Sequence, residues 1–138
     1  MSEIKLGIIG GGQLGSMLCQ AAKKLNIKTT IYSDDNDAPA QNFSEEFICA
    51  EYSNKEKIYE FAKKVDIITY EFENIPYETL NELNKLKPVS PKPPVNRLIQ
   101  HRLAEKDFIN KLNIRTTRYV HVESKEDLLP LDDFLPGI

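Results

Sequence analysis

The chain has 138 residues and a formal net charge of −3 at pH 7. That length suits one domain, or one small domain and part of a second. So mild a charge gives no reason to expect nucleic acid or an anionic membrane as the main partner. No apolar run approaches the roughly 20 residues of a membrane helix. The opening MSEIKLGIIG does not read as a signal peptide, because its apolar stretch is short, carries Glu3 and Lys5, and runs into glycines. Cys19 and Cys49 form no C-x-x-C pair, and no histidine stands at metal-ligand spacing from them. Both are expected to be reduced thiols in a cytoplasmic protein.

In chain order, Ile4 to Ile9 reads as a buried strand stopped by three glycines. Leu14, Leu18, Ala22 and Leu25 recur near helical spacing and predict a helix ending near Asn26. Lys28 to Tyr32 reads as a second strand, Ser33 to Asp37 as a turn, and Phe47 to Cys49 as a short strand. Ile58, Phe61, Ala62 and Val65 mark a helix capped by Ser53 or Asn54. Val65 to Tyr70 is another buried-type strand. A helix follows Pro76, with Leu80, Leu83 and Leu86 as its apolar face and Pro76 in its first turn.

The stretch KPVSPKPP, Lys87 to Pro94, holds four prolines and predicts a domain boundary or stiff linker. Beyond it, Arg97 to Leu112 is helical by composition, with Ile99, Leu103 and Leu112 toward a core. Thr117 to Val122 alternates like a strand, and Ser124 to Asp127 resembles an N-cap before a short helix. Strands alternating with helices imply a parallel sheet with right-handed crossovers and helices on both faces. The ending DDFLPGI carries apolar residues that would prefer burial, which predicts a cut inside a larger protein. The expected division is residues 1–94 as a Rossmann-like domain and 95–138 as the start of a second.

Three segments carry chemistry. Gly10-Gly11-Gly12-Gln13-Leu14-Gly15 fits G-x-G-x-x-G between a strand and a helix. The first glycine permits the turn, the second lets a ligand approach the backbone, and the third lets helix and strand pack closely. The helix N-terminus behind it offers free N–H groups and partial positive charge. Asp34 or Asp35, about 20 positions on, stands where a dinucleotide fold binds ribose hydroxyls, so an NAD-binding domain of an oxidoreductase is one reading.

The second segment, Tyr70-Glu71-Phe72-Glu73-Asn74-Ile75-Pro76, follows a strand directly, which places Glu71, Glu73 and Asn74 on the rim that holds the glycine turn. Glu71 and Glu73 share a direction if the strand continues. A carboxylate and an amide there could hold an amine or ribose hydroxyls. The third segment is Asn96 to Lys106, where Arg102 and Lys106 are four apart, hence neighbours on one helix face able to meet phosphates. His101 and His121 read as structural.

Taken in order, GIIGGGQLGSML, the DAPA of Asp37 to Ala40, YEFENIP, and the proline-rich joint with RLIQHRLAEKDFINKLNI resemble the N-terminal part of the N5-carboxyaminoimidazole ribonucleotide synthetases, ATP-grasp ligases. The resemblance implies a Rossmann-like pre-ATP-grasp domain that does not bind NAD, followed by the beginning of an ATP-grasp domain. It implies a reaction of purine biosynthesis that joins bicarbonate to the amine of 5-aminoimidazole ribonucleotide with ATP and Mg2+, in a homodimer. Gly12, Gln13 and Leu14 resemble a ribonucleotide-facing loop, Glu73 and Asn74 would face the aminoimidazole, and Arg102 resembles an ATP-contacting arginine. Ser16 departs from this pattern, standing where an arginine is common. No catalytic residue and no metal ligand of the family matches a position here, because its lysine-bearing strand, glycine-rich lid and magnesium carboxylates would follow Ile138. The purified chain is therefore expected to release no ADP when given ATP, bicarbonate and the ribonucleotide, and a coupled ADP assay checks this.

Overall fold

The computed structural model describes residues 4–131. Two compact units divide the chain, Met1–Gln100 and His101–Ile138. The apolar tail DDFLPGI lies outside the described residues.

The first unit is an α/β layer structure built on a four-stranded sheet of β1 (Lys5–Ile9), β2 (Lys28–Ser33), β3 (Glu46–Cys49) and β4 (Ile67–Tyr70). Its order is β3-β2-β1-β4 and every pair is parallel. Alternation along each strand sorts the apolar side chains onto two faces. Ile8 and Ile31 pack with Cys19 of α1 (Gln13–Lys24) and Ala40. Their neighbours Ile9 and Tyr32 pack on the opposite face with Phe61 of α2 (Lys55–Lys64) and with Leu80 and Leu83 of α3 (Tyr77–Leu86). Helices therefore cover both faces, as the strand–helix alternation predicts.

Helix α1 turns a different side to the sheet than its leucine spacing suggests. Gly15, Ser16, Cys19 and Ala22 are its buried residues, whereas Leu14, Met17, Leu18 and Leu25 are exposed. Small residues on the buried side let the helix axis approach β1 and the Pro39–Asn42 turn closely. Its C-terminus closes as a Schellman motif: Asn26 has φ 56, Ile27 donates to the Ala22 carbonyl at 3.0 Å, and Asn26 donates to that of Lys23 at 3.1 Å. Asn54, rather than Ser53, caps α2 by accepting from the Lys57 amide at 3.1 Å. Pro76 occupies the cap position of α3, one residue before its first turn.

The proline-rich stretch is built into the first unit instead of leaving it as a linker. The Ile68 amide donates to the Pro88 carbonyl at 2.9 Å, and the Ser90 amide donates to the Ile68 carbonyl at 2.9 Å. Val89 is buried in the core beside Ile68. Pro93 and Pro94 then open α4 (Pro93–Ile99), where a missing N–H costs nothing. The Ser90–Pro91 peptide is cis.

The expected helix over 97–112 is two helices, because His101 is extended (φ −111, ψ 106) and caps α5 (Arg102–Lys111) by accepting from the Ala104 amide at 3.3 Å. Within the second unit Leu112 is exposed, not core. Thr117 to Val122 forms no strand, since no other strand among the described residues of that unit offers it a ladder. A 3-10 helix spans Glu126–Leu131. In its first turn the Asp127 carboxylate accepts from the amides of Glu123 and Ser124 at 3.0 and 2.9 Å, which lowers its pKa.

Glu45 ties the start of β2. Its carboxylate accepts from the Thr29 amide at 2.6 Å and hydroxyl at 3.0 Å. Burial pushes its pKa up, but the Thr29 bonds outweigh that and leave it lowered. A depressed carboxyl stabilises the fold above its unfolded value and loses that contribution as pH falls through the folded one. Thermal melts of wild type and Glu45→Gln should therefore differ at neutral pH, with the variant less stable. The difference should shrink as pH drops below the ordinary glutamate range.

Candidate functional site

Strand order reverses at β1, since β2 and β3 lie to one side of it and β4 to the other. In open parallel sheets the crevice beyond the carboxyl ends of the strands at that reversal is where ligands bind. Two segments leave the sheet there. Gly10 follows β1 and Glu71 follows β4, and the ladder continues one step past each strand. The Gly10 amide donates to the Tyr32 carbonyl at 2.9 Å, and that of Glu71 to the Ile9 carbonyl at 3.1 Å.

Gly10 has φ +100, and a Cβ there would run into the Glu71 side chain. Only glycine adopts that backbone without strain. Gly12 is the N-cap of α1 and has no side chain to cap with. Its own N–H donates to Glu71 Oε1 at 2.9 Å. A Cβ on Gly12 would stand 2.9 Å from the same oxygen. The Gly11 carbonyl accepts from the Ala40 amide at 3.0 Å, which seats the DAPA segment against the turn. Ser16 is buried, and its hydroxyl donates to the Gly12 carbonyl at 3.1 Å. It thus braces the turn from behind.

A cavity of about 220 Å³ opens on this arrangement. Gly11, Gly12, Asp34, Tyr52, Glu71 and Phe72 are among its walls. Tyr52 and Phe72 are neighbours with ring centroids 6.3 Å apart, and Tyr52 lies 6.0 Å from Tyr32. Burial, then the Asp34 carboxylate bonded to its phenol, hold the Tyr52 pKa well above the ordinary tyrosine value. Tyr32 donates to the Glu51 carbonyl at 2.7 Å, and burial pushes its pKa up to about 12. Both phenols therefore act at neutral pH as neutral hydrogen-bonding groups. Asp35 serves its own turn, accepting from the Asp37 amide at 2.9 Å.

The structure brings together part of the predicted site. Gly12 is at its centre. Gln13 and Leu14 are exposed in the first turn of α1. Glu73 and Asn74 are exposed in the turn beyond β4. Because β4 ends at Tyr70, the strand alternation that would have aligned Glu73 with Glu71 does not continue. Glu71 is the carboxylate that meets the glycine turn, and its place directly after the strand was the available signal. Arg102 belongs to the second unit, where its guanidinium pairs with Glu105 at 2.6 Å and its side chain is 80% exposed. Lys106, expected beside it as a second phosphate group, lies 5.8 Å over the Tyr119 ring.

A carboxylate seated on the turn changes what the turn can receive. A dinucleotide places its pyrophosphate on these amides. Here the Gly12 amide already holds an anion, and a second would be repelled. A carboxylate has about four acceptor positions, so one amide bond leaves Glu71 able to receive an amine or hydroxyl. Fold and site together define a doubly wound α/β domain whose glycine turn is paired with an acidic residue, an arrangement that disfavours a dinucleotide's pyrophosphate there.

The chain belongs to the family described as the ribonucleotide synthetase preATP-grasp domain, whose model matches residues 3–100. It is 36% identical over 124 residues to the N5-carboxyaminoimidazole ribonucleotide synthase of Staphylococcus epidermidis, covering 90% of this chain and 33% of that protein. The crystal structure of N5-carboxyaminoimidazole synthetase from Staphylococcus aureus with ADP superposes with a TM-score of 0.86 at 31% identity, over 97% of this chain and 36% of that one. The Aspergillus clavatus N5-carboxyaminoimidazole synthase, solved with ADP and 5-aminoimidazole ribonucleotide, gives a TM-score of 0.81 at 26% identity, over 97% and 36%. The chain spans about a third of the length of these relatives. No helix among the described residues is long and apolar enough to cross a membrane.

Gly10→Ala is expected to cost about 1–3 kcal/mol of stability from backbone strain alone, and more from the collision with Glu71. Part of that loss should vanish in Gly10→Ala/Glu71→Ala, because the collision is gone. A double-mutant cycle by urea unfolding measures the coupling.

Proposed function

We propose that this chain supplies the ribonucleotide-facing part of an ATP-dependent ligase that carboxylates 5-aminoimidazole ribonucleotide. The observation that carries the reading is the Glu71 carboxylate on the Gly12 amide, at 2.9 Å, inside a cavity walled by Tyr52 and Phe72. Family membership and the ribonucleotide bound to the Aspergillus relative support it. In this reading residues 1–94 form the acceptor-substrate domain, and 95–138 begin the ATP-binding one.

The chemistry assigns each group a task. ATP activates bicarbonate as a carboxyphosphate; the exocyclic amine attacks its carbon and phosphate leaves. The amine must be held as a neutral nucleophile and must lose a proton as the new N–C bond forms. Glu71 accepts a hydrogen bond from that amine and takes its proton, since it lies beyond the carboxyl ends of β1 and β4 and is an acceptor when ionised. The flat imidazole lies against the Phe72 and Tyr52 rings, where aromatic contact favours it over an aliphatic amine. The negative 5′-phosphate points away from Glu71, because two anions on one turn repel. Gln13, Glu73 and Asn74 are the exposed polar groups on the same rim, available to the ribose hydroxyls and the far edge of the ring. Arg102 is the ATP-phosphate contact of this reading. Magnesium is expected with ATP, and among the described residues no group of three His, Cys, Asp or Glu could hold a metal ion. A cytoplasmic homodimer completes the picture, and the exposed stripe of Leu14, Met17, Leu18 and Leu25 on α1 is an apolar surface such a dimer could cover.

Amide chemical-shift titrations of the chain test this. The ribonucleotide should move Gly12, Glu71 and Phe72, and Glu71→Gln should weaken binding by about tenfold or more, the scale of a lost charge-assisted bond. Shifts at Gly10 to Gly15 and Asp34 with NAD, and none with the ribonucleotide, would overturn the proposal.

A further inference from the structure

The turn that carries Glu71, Glu73 and Asn74 is held from outside the site. Residues 71–76 contain neither strand nor helix. One end is fixed by the Glu71 amide on the Ile9 carbonyl and by the carboxylate on Gly12. The other end is fixed by α4 and the residue that follows it. Asn96 Nδ2 donates to the Ile75 carbonyl at 3.2 Å. Gln100 Nε2 donates to the Ile75 carbonyl at 2.7 Å and to the Glu73 carbonyl at 2.6 Å. Asn96 and Gln100 are four residues apart, so both amides project from one side of the helix onto the turn.

The choice of side chain at position 96 is informative. Asn96 is fully buried, and its Oδ1 has no hydrogen-bond partner among the described residues. A buried acceptor left unpaired is costly, and leucine would avoid the cost at similar size. What asparagine adds is a donor aimed at the Ile75 carbonyl. Ile75 is itself fully buried in the core, so its side chain already anchors the turn. The two amides add something an apolar anchor cannot, which is the direction of the carbonyls. Gln100 is exposed, so its role is not core filling.

We infer that Asn96 and Gln100 are positioning residues for substrate. By orienting the Glu73 and Ile75 peptide units they set the path of the acidic turn, and with it the placement of Glu71 and Glu73 against the bound ribonucleotide. This rests on the function proposed above, and both residues act through the carbonyls of the turn.

The 138-residue chain is used for the test, with Gln100→Glu and Asn96→Leu. Gln100→Glu keeps the size and exposure of the side chain and removes the donor. Asn96→Leu removes the other donor and the unpaired oxygen, so its thermal midpoint should equal or exceed that of the wild type. In both, the carbonyl 13C resonances of Ile75 should shift, with that of Glu73 moving also in Gln100→Glu. Affinity for 5-aminoimidazole ribonucleotide should fall about tenfold in each, the scale of one or two lost hydrogen bonds. A stable Asn96→Leu that binds less well is a result that a purely structural role does not produce. Unmoved carbonyl resonances would sink the clamp itself. Moved resonances with unchanged affinity would sink its link to substrate. Absence of ribonucleotide binding by the wild type would overturn the proposed function and the positioning role with it, while the carbonyl resonances would still decide whether the clamp exists.

Discussion

One hydrogen bond organises the site: the Gly12 amide donating to the Glu71 carboxylate across the reversal of strand order, at 2.9 Å. It joins two segments 59 residues apart in sequence. The parallel pairing of β1 with β4 is what brings them together, because it ends Ile9 and Tyr70 side by side. Gly10 must be glycine because Glu71 lies against it, and Ala38 and Ala40 are small where their segment packs on the same turn. At the helix N-terminus that usually waits for a ligand's phosphate, the Gly12 amide is met by a carboxylate of the chain itself. What remains is a polar seat beside two aromatic rings, with acceptor positions on Glu71 to spare.

Much of this was legible in the sequence. The Ile-rich run before three glycines, the β-rich Lys28 to Tyr32 and the VDIITY run are the strands of the sheet, within a residue or two at their ends. The glycine motif and the acidic run after β4 were both identifiable as rim segments, because strand ends determine where ligands sit. The choice among carboxylates was not legible. It depends on the residue at which β4 stops, and a shift of one residue reverses the direction of a side chain. The face that α1 buries was not legible for a related reason. Leucines at helical spacing report amphipathicity, but a helix lying close to a parallel sheet can present its small residues to it, as Gly15, Ser16, Cys19 and Ala22 do here. The break at His101 depends on a side chain accepting a backbone hydrogen bond, which histidine rarely signals by composition.

Buried polar groups in the first unit serve the backbone of the site more than its surface. Ser16 braces the Gly12 carbonyl, Tyr32 holds the Glu51 carbonyl, Thr79 donates to the Tyr52 carbonyl at 2.7 Å, and Asn96 holds that of Ile75. Loops that carry binding groups have few ladder bonds of their own, so their carbonyls must be satisfied by side chains. The four contacts fix, in turn, the glycine turn, the segment after β3 and the acidic turn after β4. The aromatic wall inherits its position from the same bonds, because Tyr52 and Phe72 lie on the two loops they secure.

The stretch from Lys87 to Pro91 has a further property when its amides are followed one by one. Lys87 donates to Leu83, Val89 to the Asn84 side chain at 3.3 Å, and Ser90 to Ile68, while Pro88 and Pro91 have no amide to give. No N–H of this segment is left over for another strand. A parallel sheet exposed at its edge is a template for pairing with any extended chain, including a second copy of itself. On the β4 side that template ends in a segment with every donor spent or absent, so it offers no N–H to an added strand. Protection of that boundary is thus shared between two prolines that lack an amide and the Asn84 side chain that holds the amide of Val89.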